Sequence, residues 1–136
     1  MYKTILIPVD LTHQERVPAM MQAARKMGDE SASITLVNVI EDVPGYLEGQ
    51  LPQGVLDRLV TQAEGELKVI AGESGPDVEL AVRCGQPASE ILALAGEKKA
   101  DLIVIASHRP GFGDFLIGST AARVVRHADC SVHVMR

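Results

Sequence analysis

The sequence predicts an α/β fold: a single domain with an open, parallel, five-stranded sheet and helices on both faces. Two runs, 4–9 and 102–106, are continuous stretches of apolar and β-branched residues, which is typical of strands that are covered on both faces of a parallel sheet. Segments with helical spacing separate the predicted strands, and this alternation indicates right-handed βαβ crossovers. The length of 136 residues fits one domain, which we assign to residues 1–136.

The first part of the chain begins with the apolar strand at 4–9. Thr12 and Glu15 then have the spacing of a capping box, and apolar residues recur at helical spacing up to Gly28. A second, mostly apolar strand is predicted over 33–40. We therefore expect a strand, a helix that begins at Thr12, and a second strand.

The middle of the chain continues the alternation. Residues 41–54 contain two prolines and three glycines, which indicates a loop, and apolar residues over 56–70 give the next helix its buried stripe. In the strand predicted over 78–82 large apolar residues occupy alternate positions, so this strand lies nearer to the sheet edge than the first. Pro87 then marks the first turn of a third helix.

The last part holds the buried strand at 102–106, a loop over 107–117, a short helix over 118–128 and a final strand over 131–135. The two most apolar strands, the first and the fourth, belong together in the centre, which gives the strand order 3-2-1-4-5. In such a sheet ligands bind beyond the carboxyl ends of the strands, where the winding reverses. Asp10 and the segment after the fourth strand are therefore predicted to face one crevice.

Composition and residue spacing argue against several classes of function. The chain has 13 Lys and Arg against 18 Asp and Glu, a net charge of −5, so we expect no general nucleic-acid-binding surface, because phosphate backbones need a positive field. The two cysteines are far apart in sequence and the histidines lack ligand spacing, so we expect no metal site. No leader pattern begins the chain and no apolar run approaches the roughly 20 residues that cross a bilayer. We expect a cytoplasmic protein without membrane contacts.

Gly118, Ser119 and Thr120 form the start of the last predicted helix. Free backbone N–H groups and the positive end of the helix dipole attract anions there, so we predict phosphate binding. The alternative is that Ser119 or Thr120 only caps the helix. The known phosphate motifs are incomplete: Ser119 stands at the lysine position of a P-loop, and Gly111 with Gly113 lacks the third glycine of a dinucleotide site.

Several motifs occur together along the chain. They are Ile5-Leu6-Ile7-Pro8-Val9-Asp10, Val37-Asn38-Val39-Ile40, Gly85-Gln86-Pro87, Ile103-Val104-Ile105-Ala106-Ser107-His108-Arg109-Pro110, Gly118-Ser119-Thr120-Ala121 and the stretch 124–132. As a set over residues 1–136 they resemble the universal stress protein (UspA) family, and the stretch 107–110 is similar to its enterobacterial F/G-type branch. The resemblance implies a Rossmann-like fold of the adenine nucleotide α-hydrolase type.

The resemblance also implies a ligand and its site. In the nucleotide-binding branch of the family, an aspartate that ends the first strand holds the ribose, backbone at the end of the second strand reads adenine, and a G-x2-G-x9-G-[ST] loop holds the phosphates. This implies Asp10 for the ribose, Val39 for adenine, and the Gly118-Ser119-Thr120 segment for the phosphates. The other residues implied at the nucleotide are Pro8, Val9, Ala106, Ser107, His108 and Arg109. The implied ligand is ATP, and any Mg²⁺ arrives with its phosphates.

The implied phosphate loop departs from the family pattern. Ala106 and Arg109 stand where the first two glycines would be, and only eight residues, 110–117, precede Gly118. Arg109 either donates to a phosphate in place of glycine backbone or is a solvated surface arginine.

Two functions from different classes follow from these patterns. The leading hypothesis is an ATP-binding regulatory module of the stress response, and the alternative is a dimeric interaction protein of the same fold that binds no nucleotide. An enzyme is least favoured, because no paired general acid and base is visible near the predicted phosphates and any ATP hydrolysis should be slow. The last strand, 131–135, is an edge without proline or lysine. An unprotected edge strand can pair with a second copy of itself, and the resemblance points the same way, because universal stress proteins commonly dimerise through this strand. We therefore predict a homodimer.

Overall fold

The computed structural model describes residues 1–41, 54–75, 77–107 and 118–136. Its strands are β1 (Tyr2–Pro8), β2 (Gly28–Glu41), β3 (Val78–Gly85), β4 (Leu102–Ala106) and β5 (Ser131–Met135). Its helices are a 3-10 helix (Leu11–Arg16), α1 (Val17–Met27), α2 (Val55–Ser74), α3 (Pro87–Lys98) and α4 (Ser119–His127). Neighbouring strands are parallel and follow the order β3-β2-β1-β4-β5, which confirms the predicted topology.

The central strand β1 divides the core into two apolar layers. Ile5 and Ile7 belong to a cluster with the buried sides of α1 and α2, whereas Leu6 belongs to a cluster with those of α3 and α4. Each fully buried aliphatic side chain of this kind contributes about 1.5–3 kcal/mol relative to an exposed one. The prediction of helices on both faces is therefore confirmed. In the described parts of the chain, no helix combines the length and the apolar character that a membrane span requires.

The first helix begins differently from the prediction. Asp10, in an extended conformation, accepts the backbone N–H of Thr12 and so caps the 3-10 helix, and α1 begins only at Val17. The Thr12 hydroxyl donates to the same carboxylate. Thr12 and Glu15 therefore do not form the predicted capping box, because the carboxylate of Asp10, two residues before Thr12, is the stronger acceptor.

The strand β2 begins five residues before the predicted start at 33. Tyr2 pairs with Gly28, and the regular register with β1 resumes only at Thr4 and Ser33. The irregular stretch 29–32 is mostly polar, so it carries no apolar pattern by which a strand is recognised.

Candidate functional site

The carboxyl ends of the central strands surround a cavity of about 420 Å³. This volume falls within the roughly 300–1,000 Å³ of ligand pockets, and its place is where an open parallel sheet reverses its winding. The predicted site residues that line it are Pro8, Val9, Asp10, Val39, Ala106 and Thr120. The structure thus brings residues from β1, β2, β4 and α4 to one cavity.

The turn after β1 presents a carboxylate to this cavity. Val9 is buried, and its N–H donates to Val37 O at 2.7 Å, which fixes the chain as it leaves the sheet. Asp10 follows with an exposed side chain. Its Oδ1 accepts from the backbone N–H of Thr12 at 2.9 Å and from the Thr12 hydroxyl at 2.6 Å. Asp10 is therefore an oriented acceptor at the cavity wall.

The backbone of Val39 faces the cavity as well. The pairing of β1 with β2 ends at Pro8 and Val37, whereas β2 and β3 remain paired past Val39. Backbone groups of successive strand residues point alternately to the two neighbouring strands. Since Val37 O accepts from Val9, the N–H and C=O of Val39 point to the same side, beyond the end of β1. They are placed to bond a ligand edge.

Ser107 joins the end of β4 to the start of α4. It is 7% exposed, its N–H donates to Met135 O at 2.8 Å, and its Oγ accepts from Gly118 N–H at 2.9 Å. The hydroxyl therefore holds the start of α4 and does not line the cavity. Gly118 is the N-cap of α4, and neither Ser119 nor Thr120 caps it through the side chain, so the plain-cap alternative is wrong.

The predicted phosphate segment is only partly represented at the cavity. Thr120 lines it, whereas Gly118 and the exposed Ser119 do not. His108 and Arg109 lie outside the described residues, so the structure does not place them.

Several residues of the cavity wall were not predicted from the sequence. Asn38 and Glu41 belong to the carboxyl half of β2, and Pro87 begins α3 at the same edge of the sheet. The positions of Asn38 and Glu41 near the end of a predicted strand could have indicated this role, because polar residues at the carboxyl ends of central strands face the ligand edge of such a sheet. Within the described residues, the charged side chains that line the cavity are Asp10 and Glu41, so its wall is acidic.

Two further observations bear on alternative sites. A cavity of about 820 Å³ lies between α1 and α2, but residues of α1, α2 and the 3-10 helix line it and no strand end reaches it. Over the described ranges, no three His, Cys, Asp or Glu side chains are grouped as metal ligands. The strand-end cavity therefore remains the candidate site.

Comparison with known proteins gives the family. The sequence matches the universal stress protein family over residues 1–136. This chain belongs to the universal stress protein family. It is 32% identical over 145 residues to universal stress protein G of Escherichia coli O157:H7, and the match covers both chains completely.

Solved structures of universal stress proteins share the fold. UspA from Lactobacillus plantarum has a TM-score of 0.72 at 27% identity, and the match covers 99% of this chain and 98% of that chain. A universal stress protein in complex with cAMP has a TM-score of 0.60 at 21% identity, covering 99% and 97%. The Archaeoglobus fulgidus protein in complex with dAMP has a TM-score of 0.64 at 22% identity, covering 99% and 98%. At these identities the last two similarities show the fold alone.

Proposed function

We propose that this universal stress protein binds an adenine nucleotide in the strand-end cavity and acts as a regulatory module of the stress response, with at most slow ATP hydrolysis. One observation carries the proposal: Asp10, the Val39 backbone and Thr120 come from three separate elements and face a single cavity. Two family members of the same fold are complexes with cAMP and dAMP. Both ligands are adenine nucleotides, which supports this ligand class.

The nucleoside half of the ligand lies between β1 and β2 in the proposed complex. The Asp10 carboxylate accepts hydrogen bonds from the ribose hydroxyls, and such bonds to a charged acceptor are about twice as strong as neutral ones. The backbone of Val39 pairs with the edge of adenine. The walls beside them are formed by Pro8, Val9 and Ala106.

The phosphates lie at the start of α4 in this proposal. The Gly118 N–H already donates to Ser107 Oγ, so the phosphate donors are the N–H groups of Ser119 and Thr120 and the Thr120 hydroxyl. Ser107 contributes by holding Gly118 in place. We expect ATP to bind more tightly than AMP, because its longer phosphate chain reaches more of these donors.

The acidic wall of the cavity supports a role for a cation. Asp10 and Glu41 would repel an unneutralised triphosphate, whereas Mg²⁺ bound to the phosphates removes much of that repulsion. Contacts from His108 and Arg109 are also part of the proposal, and they rest on the family resemblance alone.

Calorimetric titration of protein stripped of bound ligand tests the proposal. Adenosine, AMP and ATP are compared with and without Mg²⁺, and GTP serves as a control for the base. We expect affinity to rise from adenosine to ATP, with Mg²⁺ improving the binding of ATP most. Absence of ATP binding at millimolar concentration would overturn the proposal and favour an interaction protein without a nucleotide.

The edge strand β5 supports a second proposal, that two copies of the chain form a homodimer. β5 pairs with β4 on one side and is the last strand of the sheet. Because Met135 O accepts from Ser107 on the β4 side, the backbone groups of Val134 point to the open edge. These groups are available to pair with β5 of a second copy.

Sedimentation equilibrium tests the dimer. A species of twice the monomer mass of 14.6 kDa is expected, and Val134→Pro should dissociate it, because proline removes an N–H that points outward. His133→Pro is the matched control, since it removes an inward N–H and should weaken the fold instead. A 14.6 kDa species for the native chain would exclude the dimer.

A further inference from the structure

Asn38, the one asparagine of the chain, lies between the two segments that the proposed function assigns to base and ribose. It precedes Val39 in β2, and its Nδ2 donates to Val9 O at 2.9 Å, one residue before Asp10. Because a carbonyl oxygen only accepts hydrogen bonds, the atom that faces it is the amide nitrogen. A single side chain therefore connects the two segments.

This bond forms where regular pairing between β1 and β2 has stopped. The paired register ends with Pro8 and Val37, and Val9 N–H donates to Val37 O at 2.7 Å. The Val9 carbonyl lies one step further along, and Asn38 takes the place of a strand partner for it. Both backbone polar atoms of Val9, the residue before Asp10, are thus hydrogen-bonded to β2.

We propose that Asn38 is a positioning residue that sets the spacing between the Val39 backbone and the Asp10 carboxylate, so that one nucleoside reaches both. This inference rests on the proposed function of the cavity. Val39 is paired with Arg83 of β3, so loss of the amide releases the Asp10 side and leaves the Val39 side in place. Ligand-contacting groups need such supporting hydrogen bonds to keep their geometry within about 0.5 Å.

Comparison of adenine with adenosine separates this role from a purely structural one. In Asn38→Ala, adenosine affinity should fall about fivefold, the value of one typical hydrogen bond, while adenine affinity stays unchanged. Asn38→His should restore adenosine binding, because its Nδ1 lies two bonds from Cβ, as the asparagine amide nitrogen does. Asn38→Thr is the second variant if alanine prevents folding, since threonine suits a strand and its hydroxyl is one bond too short.

Asp101→Ala is the matched control, because Asp101 ties the other end of β1 through the backbone N–H groups of Lys3 and Thr4. It should lower stability and leave the ratio of adenosine to adenine affinity unchanged. Equal losses of affinity for adenine and adenosine in a folded Asn38 variant, or no loss for either, would overturn this inference and leave the proposed function standing. A native chain that does not bind ATP either would overturn the proposed function and this inference with it.

Discussion

Asp10 and Asp101 lie at opposite ends of β1, and their carboxylates have different partners. Asp101 precedes β4 and accepts the backbone N–H groups of Lys3 and Thr4, both at 2.9 Å. Its own N–H donates to Thr4 O, so the aspartate joins the starts of two central strands. Asp10 accepts instead from Thr12, two residues further on, and lines the cavity. One carboxylate fastens the sheet, and the other is held in a turn beside a ligand-sized space.

The pKa of the Asp101 carboxyl reflects its structural role. Partial burial acts to raise this pKa, but hydrogen bonds from the backbone N–H groups of Lys3, Thr4 and Asp101 itself, together with the positive N-terminus, outweigh burial, and the pKa lies below its ordinary value. The ionised form is therefore favoured by folding. Mutation at the two ends of β1 should therefore have different effects. Mutation of Asp101 should lower stability, and mutation of Asp10 should lower ligand affinity.

The largest expected effect is on nucleotide affinity in Asp10→Ala. Loss of a charged acceptor for the ribose should weaken ATP binding by about 1.5–3 kcal/mol, or roughly 10- to 100-fold. Asp10→Asn is the matched control for the turn, because its amide oxygen still accepts from Thr12 but carries no charge. Calorimetric titration of both variants measures the loss. Unchanged affinity in a folded Asp10→Ala protein would place the site away from the end of β1.

A smaller effect, and of a different kind, is expected for Asp101→Ala. The backbone N–H groups of Lys3 and Thr4 lose their acceptor, which should lower the free energy of unfolding by about 1–2 kcal/mol. Affinity for ATP should remain that of the native chain, since the cavity lies at the opposite end of β1. Urea denaturation and calorimetry give the two quantities. A loss of affinity in the folded variant would contradict the separation of roles.

The fold was predictable from sequence where a buried element produces a recognisable run of apolar residues. β4 is buried along its whole length, and its unbroken apolar run placed it in the centre of the sheet. The start of β2 was not predictable, because the stretch 29–32 pairs irregularly and is mostly polar. The cap at Asp10 was missed because Thr12 and Glu15 have the spacing of a capping box, and spacing does not show which acceptor is nearer.

The candidate site was predictable where residues follow directly after a strand. Asp10 was predicted in this way, whereas of the predicted residues at the start of α4 only Thr120 lines the cavity. Asn38 was missed because its role depends on reaching across to Val9, 29 residues earlier in the chain. Asp101 was not singled out, since an acidic residue before a strand is common in surface loops and only the register of β1 and β4 gives it partners.

The smallest expected effect is a change in stability with pH that comes from Asp101. Its pKa is lowered in the folded chain, so its contribution is fully present above the ordinary pKa of about 3.9 and is lost as the pH falls through the lower folded value. Asp101→Asn keeps an acceptor but cannot ionise. At about pH 7 the native chain should be more stable than this variant by about 1 kcal/mol, since charged acceptors form the stronger bonds.

The difference in unfolding free energy between the native chain and Asp101→Asn, measured by urea denaturation from about pH 7 down to about pH 3, should shrink on acidification. Other carboxyls do not confuse the comparison. Glu79, for example, has its pKa lowered by the hydrogen bond from Lys98, but it titrates alike in both proteins and cancels in the difference. If the difference stayed constant, Asp101 would stabilise the sheet through shape and neutral hydrogen bonding, and the charge of its carboxylate would contribute nothing to stability.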